Sequence, residues 1–459
     1  MHVEHSTTEE SEMRGDYRGY LTGRRGLVLA CVIIVVINLP GLVYVTGVPL
    51  EDDPDTPIIL ANVREDMSAR GLLRWFARDW PLENGLYRPL VAISLAADSA
   101  IFGDYARGYR AVNWGMAVLT ALGLFFWAKE LGISTLGALL AAAFFSLQQS
   151  VRQPRLPTWA VLVTGATILV MILVRRVRQQ RGRESTDLRA FPIVGAAAAL
   201  YMVVLHWMPL TTVVSWIAAR TALMCTLLAT WAMVAVTRYT RCGGHGWLAT
   251  GFALTALALC SYEQALMVPF AFLLLPLLAR GASFRRGFIA AAFILLLIPT
   301  YCAVRLATVG SEASQYVMLA RKSTLQGSAL SLAAYVVRPY RVVEGLSIRL
   351  GTAFNLVDPL MWWSVIVLAI FVAVFWRLFA TVPRSAGIML AMQTVLFLPM
   401  AGLHIFAHYY YLPGIAAAVL ASALLHPQGL SALEAGIRPA GDSTLADRET
   451  FDVESEPQS

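Results

Sequence analysis

The fold is decided first at residues 26–48, which read GLVLACVIIVVINLPGLVYVTGV and carry no charged side chain. A run of this length suits the hydrocarbon core of a bilayer, which a helix of about 20 apolar residues can cross. Similar runs recur along the 459-residue chain, of which 58% is apolar and only 14% charged. Soluble domains carry about 25% charged residues, so the sequence predicts an integral membrane protein.

The apolar runs predict an all-α fold, a polytopic bundle of about twelve transmembrane helices. The bundle forms one domain, residues 26–426. After the first run, the predicted spans cover approximately 107–130, 135–149, 157–175, 190–206, 213–236, 247–262, 264–280, 287–306, 360–380, 386–402 and 404–425.

Basic residues predict how the bundle is oriented. Arginines precede the first run and acids follow it, so the N-terminal segment, residues 1–25, is expected in the cytoplasm. With this count, the basic loops at 175–183, 238–246, 280–287 and 377–384 also fall inside, together with a polar tail, 427–459, that is expected to be disordered. Nearly all basic residues are arginine, as in GC-rich genomes. We therefore expect a multi-pass protein of a bacterial inner membrane.

Composition and motifs argue against several function classes. The net charge of +7 comes mostly from short loops between spans, so nucleic acid is not an expected partner. The five cysteines are scattered and form no C-x-x-C pair. The chain has no Walker loop, no G-x-S-x-G and no metal-spaced Cys/His set. Nucleotide-driven, redox and serine-hydrolase chemistry are therefore disfavoured.

Two long loops, at about 46–106 and 307–359, are expected on the outer side. In the first, residues 60–80 interleave apolar residues with arginines, which predicts an amphipathic helix on the membrane surface. Residues 88–102 are apolar but too short to span comfortably, and we expect a second interfacial helix there.

Four carboxylates are crowded at the start of this first loop: Glu51, Asp52, Asp53 and Asp55. Neighbouring carboxylates raise each other's pKa, so one of them could accept a proton near neutral pH. The group could also hold a divalent cation, Mg or Mn, although the sequence does not require a metal. The simpler alternative is an acidic patch that orients the first span or starts a helix.

Several other polar residues fall at predicted outer span ends. Arginine forks suit phosphate, although each arginine could instead reach lipid headgroups; the set is Arg88, Arg110, Arg152, Arg155, Arg220 and Arg305. Glu263 lies in a turn without a nearby basic residue, so it needs either a distant partner or a functional role. His404, His408 and the run Tyr409–Tyr411 could line a headgroup or sugar site, or form an ordinary interfacial belt.

The order of these features resembles the GT-C class of integral membrane glycosyltransferases. The nearest likeness is to the membrane part of transmembrane-and-TPR O-mannosyltransferases and their bacterial relatives. The matching pieces are Asp52-Asp53, LYRPL (86–90) with FG (102–103), Tyr109 and Asn113, WIAAR (216–220), SYEQA (261–265) with VP (268–269), and YYLP (410–413).

The resemblance implies a transferase that takes a sugar from a polyprenyl-phosphate donor and passes it to a glycan, lipid or protein acceptor on the outer face. An acid of the first loop would be the catalytic base, Asp52 or Asp53, with Glu51 beside them. Donor phosphate would be held by Arg88, Arg220 and Arg305. The sugar site would be shaped by Glu263, with Tyr87, His408 and Tyr410 as further substrate contacts.

Two other functions fit a polytopic chain with charges near its spans. One is a transporter or lipid-linked-saccharide flippase, but the charges cluster at outer span ends rather than at mid-depth. The other is a non-catalytic membrane scaffold, which would leave the outer set of acids and arginines without a purpose.

Overall fold

The structure is a computed structural model that describes residues 24–39, 49–53, 55–65, 67–149, 214–279, 281–310, 383–400 and 407–425. These residues are mostly helical and include no β-strand. The expected all-α character is therefore confirmed for the described part of the chain. The predicted spans at 157–175, 190–206 and 360–380 lie outside it, as do most of the loop at 307–359, the tail at 427–459 and residues 1–23.

The α-helices are numbered here in chain order. They are α1 (Arg24–Asn38), α2 (Thr56–Arg64), α3 (Ala69–Arg74), α4 (Pro89–Phe102), α5 (Ala106–Glu130), α6 (Thr135–Gln149), α7 (Arg220–Cys242), α8 (His245–Leu259), α9 (Val268–Phe272), α10 (Leu275–Leu278), α11 (Phe284–Leu295), α12 (Leu297–Val309), α13 (Pro383–Phe397) and α14 (Gly414–Leu425). Short 3-10 helices occur at Leu50–Asp52, Trp75–Ala77, Ile217–Ala219, Glu263–Met267, Leu398–Met400 and Ala407–Tyr410.

Three helical stretches are long and apolar enough to cross a membrane: Ala106–Glu130, Ile217–Cys242 and Phe284–Val309. They support membrane association. Shorter apolar helices occur in the first span region and at α4, α6, α8 and α13. The count of about twelve spans and the orientation of the chain stay predictions.

Helices α5 and α7 run in the same direction and define the two ends of the molecule. At one end, Nη2 of Arg220 donates to the carbonyl of Tyr109, 2.9 Å away. At the other, Arg238 and Arg241 both pair with Glu130, at 2.6 and 3.0 Å. We call these the Asp53 end, after the nearby Asp53, and the Glu130 end.

The next helices run between these two ends. Helix α8 returns to the Asp53 end, where the carbonyl of Cys260 accepts a hydrogen bond from the N–H of Leu90 at 3.1 Å. The N–H of Ser283 donates to the carbonyl of Thr240 at 2.9 Å, which places the start of α11 at the Glu130 end. Helix α12 then brings Arg305 to the carbonyl of Gly85, 2.7 Å away, back at the Asp53 end.

The first predicted outer loop packs over the starts of α5 and α7. Its apolar residues form one buried cluster with residues of those helices, including Ile59, Leu95, Tyr109, Ile217 and Met224. The helix at 88–102 was predicted closely, since α4 begins at Pro89, a residue that favours a helix start.

The single helix predicted over 60–80 is wrong, because the chain breaks it into α2, α3 and a 3-10 turn. Ser68 causes the second start: its side chain accepts a hydrogen bond from the N–H of Gly71 at 3.0 Å and caps α3. The stretch predicted as a span over 264–280 is not one continuous helix. Pro269 and Pro276 each stand in the first turn of a short helix, α9 and α10, where the missing N–H does no harm.

Candidate active site at the Asp53 end

Asp53 is buried against Arg110 near the start of α5. Its Oδ2 lies 3.2 Å from Nη2 of Arg110, and both side chains are almost fully buried. The same oxygen accepts from the N–H of Ile217 at 3.4 Å, while Oδ1 accepts from the hydroxyl of Thr56, the first residue of α2. Burial raises the pKa of Asp53, and the hydrogen bonds from Thr56, Arg110 and Ile217 oppose that rise.

A cleft of about 620 Å³ opens beside this pair, between the acidic turn, α2 and the start of α5. It is lined by Pro49, Leu50, Glu51, Pro57, Leu60, Ala61, Arg64, Asp104, Tyr105, Ala106, Arg107 and Arg110. Nη1 of Arg110 is buried and has no hydrogen-bond partner among the described residues. The cleft therefore combines an exposed carboxylate, Glu51, with the exposed Arg107, and the fully buried Arg110 lies beside them.

The three predicted catalytic acids occupy different positions. Glu51 is exposed and lines the cleft, whereas Asp53 is buried behind Arg110. The backbone of Asp52 belongs to the 3-10 helix Leu50–Asp52, but its side chain lies outside the described residues. In this arrangement Glu51 can meet a substrate directly, and Asp53 could do so only after releasing Arg110.

Arg220 is fully buried, and the surrounding helices bind its guanidinium group. Nε donates to Oδ1 of Asn113 at 2.8 Å and Nη1 to the hydroxyl of Ser94 at 3.1 Å. Nη1 also forms an ion pair of 2.5 Å with Asp98. Sequence reasoning missed Asp98, although one carboxylate inside the apolar stretch 88–102 was a usable signal that a basic partner lies nearby.

Arg88 and Glu263 pair with each other. Nε of Arg88 lies 3.1 Å and Nη2 lies 2.8 Å from Oε2 of Glu263. The guanidinium group also stacks over the ring of Tyr262, 4.6 Å from its centroid, and faces Trp80 at 5.7 Å. The distant partner that Glu263 was expected to need is therefore Arg88. Their expected contacts with donor phosphate and sugar stay predictions.

Arg305 and Tyr87 lie close to this pair. Arg305 is half-buried and donates to the carbonyl of Gly85. The hydroxyl of Tyr87 donates to the carbonyl of Phe76 at 3.0 Å, and its ring packs 5.8 Å from that of Tyr301. Burial raises the pKa of Tyr87 to about 12, so the phenol stays neutral at physiological pH.

His408 and Tyr410 are buried in an aromatic group. The ring of His408 lies 5.2 Å from Trp216 and 4.5 Å from Tyr409. Tyr410 stacks on Phe397 at 6.0 Å. His404, Arg152 and Arg155 lie outside the described residues.

The segment 216–220 joins these groups. Trp216 contacts His408, the N–H of Ile217 binds Asp53, and Arg220 pairs with Asp98. Residues predicted for one site from distant parts of the sequence thus lie at the same end of the fold. They form two groups, with Glu51, Asp53 and Arg110 at the cleft and Arg88, Glu263, Tyr262 and His408 around the second ion pair.

Within the described part of the chain, no three His, Cys, Asp or Glu side chains stand close enough together to hold a metal ion. The side chain of Asp52 lies outside the described residues, so the Mg or Mn ion considered from the sequence stays a prediction.

No protein-family model matches the chain, and neither a curated protein nor a solved structure matches it significantly.

Proposed function

We propose that the protein is an integral membrane glycosyltransferase. It would move a sugar from a polyprenyl-phosphate donor to the hydroxyl group of a glycan, lipid or protein acceptor at the Asp53 end. The observation that carries this proposal is the cleft itself, where Glu51, Arg107 and Arg110 meet beside the buried Asp53.

The reaction needs a base for the acceptor. The acceptor oxygen attacks the anomeric carbon of the donor sugar, and its proton passes to a carboxylate of the acidic turn. Glu51 is our first choice, because it is exposed and lines the cleft. A positioned base of this kind contributes about 10²- to 10⁴-fold to the rate.

The reaction also needs stabilisation of the leaving group. As the bond between the anomeric carbon and the phosphate oxygen breaks, its electron pair stays on the polyprenyl phosphate. Arg107 is exposed at the cleft and can donate to those oxygens, while the fully buried Arg110 beside it would add positive charge. Asp53 would act by holding Arg110 in place.

The positions of the arginines favour a transferase over a transporter. Arg110 lies near the start of α5, and Arg220 is the first residue of α7. Transporters place substrate and coupling-ion sites near the bilayer midplane, formed by broken helices. Charges at helix starts instead suit a site near the membrane surface.

The test uses membranes that contain the full-length protein and a panel of radiolabelled polyprenyl-phosphate sugars. We expect label in an acceptor, a loss of about 100-fold or more in Glu51→Gln, and normal membrane insertion. Glu65→Gln is the matched control, because Glu65 is an exposed glutamate of the same loop that does not line the cleft. Unchanged transfer in both Glu51→Gln and Asp53→Asn would refute the proposal. Movement of donor lipid across the bilayer without sugar transfer would favour a flippase.

A further inference from the structure

We propose that the Glu130 end binds the phosphodiester headgroup of an anionic phospholipid. The binding surface, which we call the Arg285 surface, consists of Arg238 and Arg241 at the end of α7 and Arg285 and Arg286 at the start of α11. This inference does not depend on the proposed transferase activity, because it concerns the opposite end of the molecule.

Packing brings the start of α11, with its two arginines, against the end of α7. The N–H of Ser283 donates to the carbonyl of Thr240 at 2.9 Å, which fixes the start of α11 to the end of α7. The guanidinium group of Arg286 lies so close to Gly243 that a Cβ at this glycine would stand 3.1 Å from Nη1. Gly243 also has φ +77°, so a side chain there would strain the backbone as well.

The surface has a strong excess of positive charge. Among the described residues, Glu130 is the acid that contacts it, and its carboxylate is shared by Arg238 and Arg241. The side chains of Arg285 and Arg286 make no hydrogen bond or ion pair with any described residue. Four arginines against one carboxylate leave a net charge of +3, and guanidinium groups bind phosphate oxygens through paired hydrogen bonds.

An apolar stripe leads away from the headgroup position. Ile289, Phe293 and Leu296 follow Arg285 at helical spacing and are 41%, 43% and 60% exposed. At about 1.5 Å per residue, Leu296 lies about 16 Å from Arg285. That is about half of the ~30 Å hydrocarbon core. A phosphate held at Arg285 would therefore let one acyl chain lie along this stripe through its own leaflet.

Native mass spectrometry of the purified full-length protein tests the proposal. Phosphatidylglycerol and phosphatidylcholine are titrated separately, with glycerol 3-phosphate as the soluble competitor. We expect phosphatidylglycerol to bind about tenfold more tightly, and the double variant Arg285→Gln/Arg286→Gln to bind both lipids equally. The control, Arg70→Gln/Arg78→Gln, removes two exposed arginines of the first predicted outer loop and should keep the preference.

A variant that should bind phosphatidylglycerol more tightly distinguishes loss of the binding site from simple misfolding. Glu130→Gln frees Arg238 and Arg241 from their acid partner, so it should tighten phosphatidylglycerol binding several-fold. The proposal is overturned if the wild-type protein does not distinguish the two lipids, or if the double variant keeps the preference. It also fails if glycerol 3-phosphate displaces the lipid at equal concentration, because the site would then bind free phosphate.

Discussion

The side chains of Arg88 and Glu263 meet across 175 positions of sequence, with 2.8 Å between Nη2 and Oε2. Arg88 immediately precedes α4, and Glu263 begins the 3-10 helix after α8. The pair is nearly buried, since the two side chains are 7% and 14% exposed. It therefore joins the first predicted outer loop to the helices of the bundle at a place where water can screen the charges only weakly.

We expect removal of either partner to destabilise the fold. Arg88→Gln and Glu263→Gln each remove one partner of this nearly buried ion pair, which should lower the free energy of unfolding by about 3 kcal/mol. The double variant should recover much of this loss, because it buries no charge. Denaturant titration in mixed micelles measures all three.

The pair of Arg64 with Asp104 is the control for that cycle. Its side chains are 36% and 83% exposed, so water screens the charges well. Arg64→Gln should therefore cost less than about 1 kcal/mol. Equal losses for Arg64→Gln and Arg88→Gln would show that burial does not set the strength of these pairs.

Asp53 should make stability depend on pH. Burial raises the pKa of this carboxyl in the folded protein, so folding favours its protonated form. The contribution of Asp53 to the free energy of unfolding is therefore largest below a pH of about 3.9, which is the pKa of this carboxyl in the unfolded chain. It falls as the pH rises through the higher folded value, by at most about 1.4 kcal/mol per pH unit.

Asp53→Asn isolates this contribution, since the amide does not titrate. The stability of the wild-type protein minus that of the variant should fall as the pH rises from 4 to 7. A difference that rises over this range would mean that the pairing with Arg110 outweighs burial and that the pKa of Asp53 is lowered instead.

Long apolar runs with polar boundaries allowed close predictions of helix bounds. Spans predicted at 107–130 and 135–149 correspond to Ala106–Glu130 and Thr135–Gln149 in the structure. Such helices follow from the need to satisfy every backbone N–H and C=O within an apolar medium. Breaks inside shorter runs were harder to predict, because Ser68 acts through one local hydrogen bond and Pro276 through its missing N–H, and both compete with weak periodicity.

Which charges meet could not be predicted from the chain alone. The sequence marked Glu263 as a residue in need of a distant partner or a functional role, since ionised groups are costly in apolar surroundings. It contained no signal that Asp98 would pair with Arg220, or Arg88 with Glu263. Those pairs depend on how helices distant in sequence pack, and so did the position of Glu51 at the cleft.

Gln264 should be important for holding the last described segments in place. Its buried Nε2 donates to the carbonyl of Leu396 at 3.2 Å and to that of Tyr409 at 2.9 Å. Gln264→Leu leaves these acceptors without their donor and should cost about 2 kcal/mol. Thr300→Val is the control, because this exposed hydroxyl bonds only within its own helical stretch and should cost less than about 0.5 kcal/mol. Thermal unfolding followed by size-exclusion chromatography compares the two, and equal midpoints would contradict the role given to Gln264.

Two glycines should respond to the same substitution with opposite signs. A Cβ at Gly287 of α11 would overlap the ring of Pro276, whereas one at Gly115 of α5 would meet no atom within 4 Å. Because a proline ring cannot rotate away, Gly287→Ala should push α11 from α10 and destabilise the protein by about 1–3 kcal/mol. Gly115→Ala should stabilise it by about 0.5–1 kcal/mol, since alanine loses less backbone entropy than glycine on forming a helix. Both are measured by the same denaturant titration, and a stabilised Gly287→Ala variant would show that α10 and α11 do not pack as closely as described.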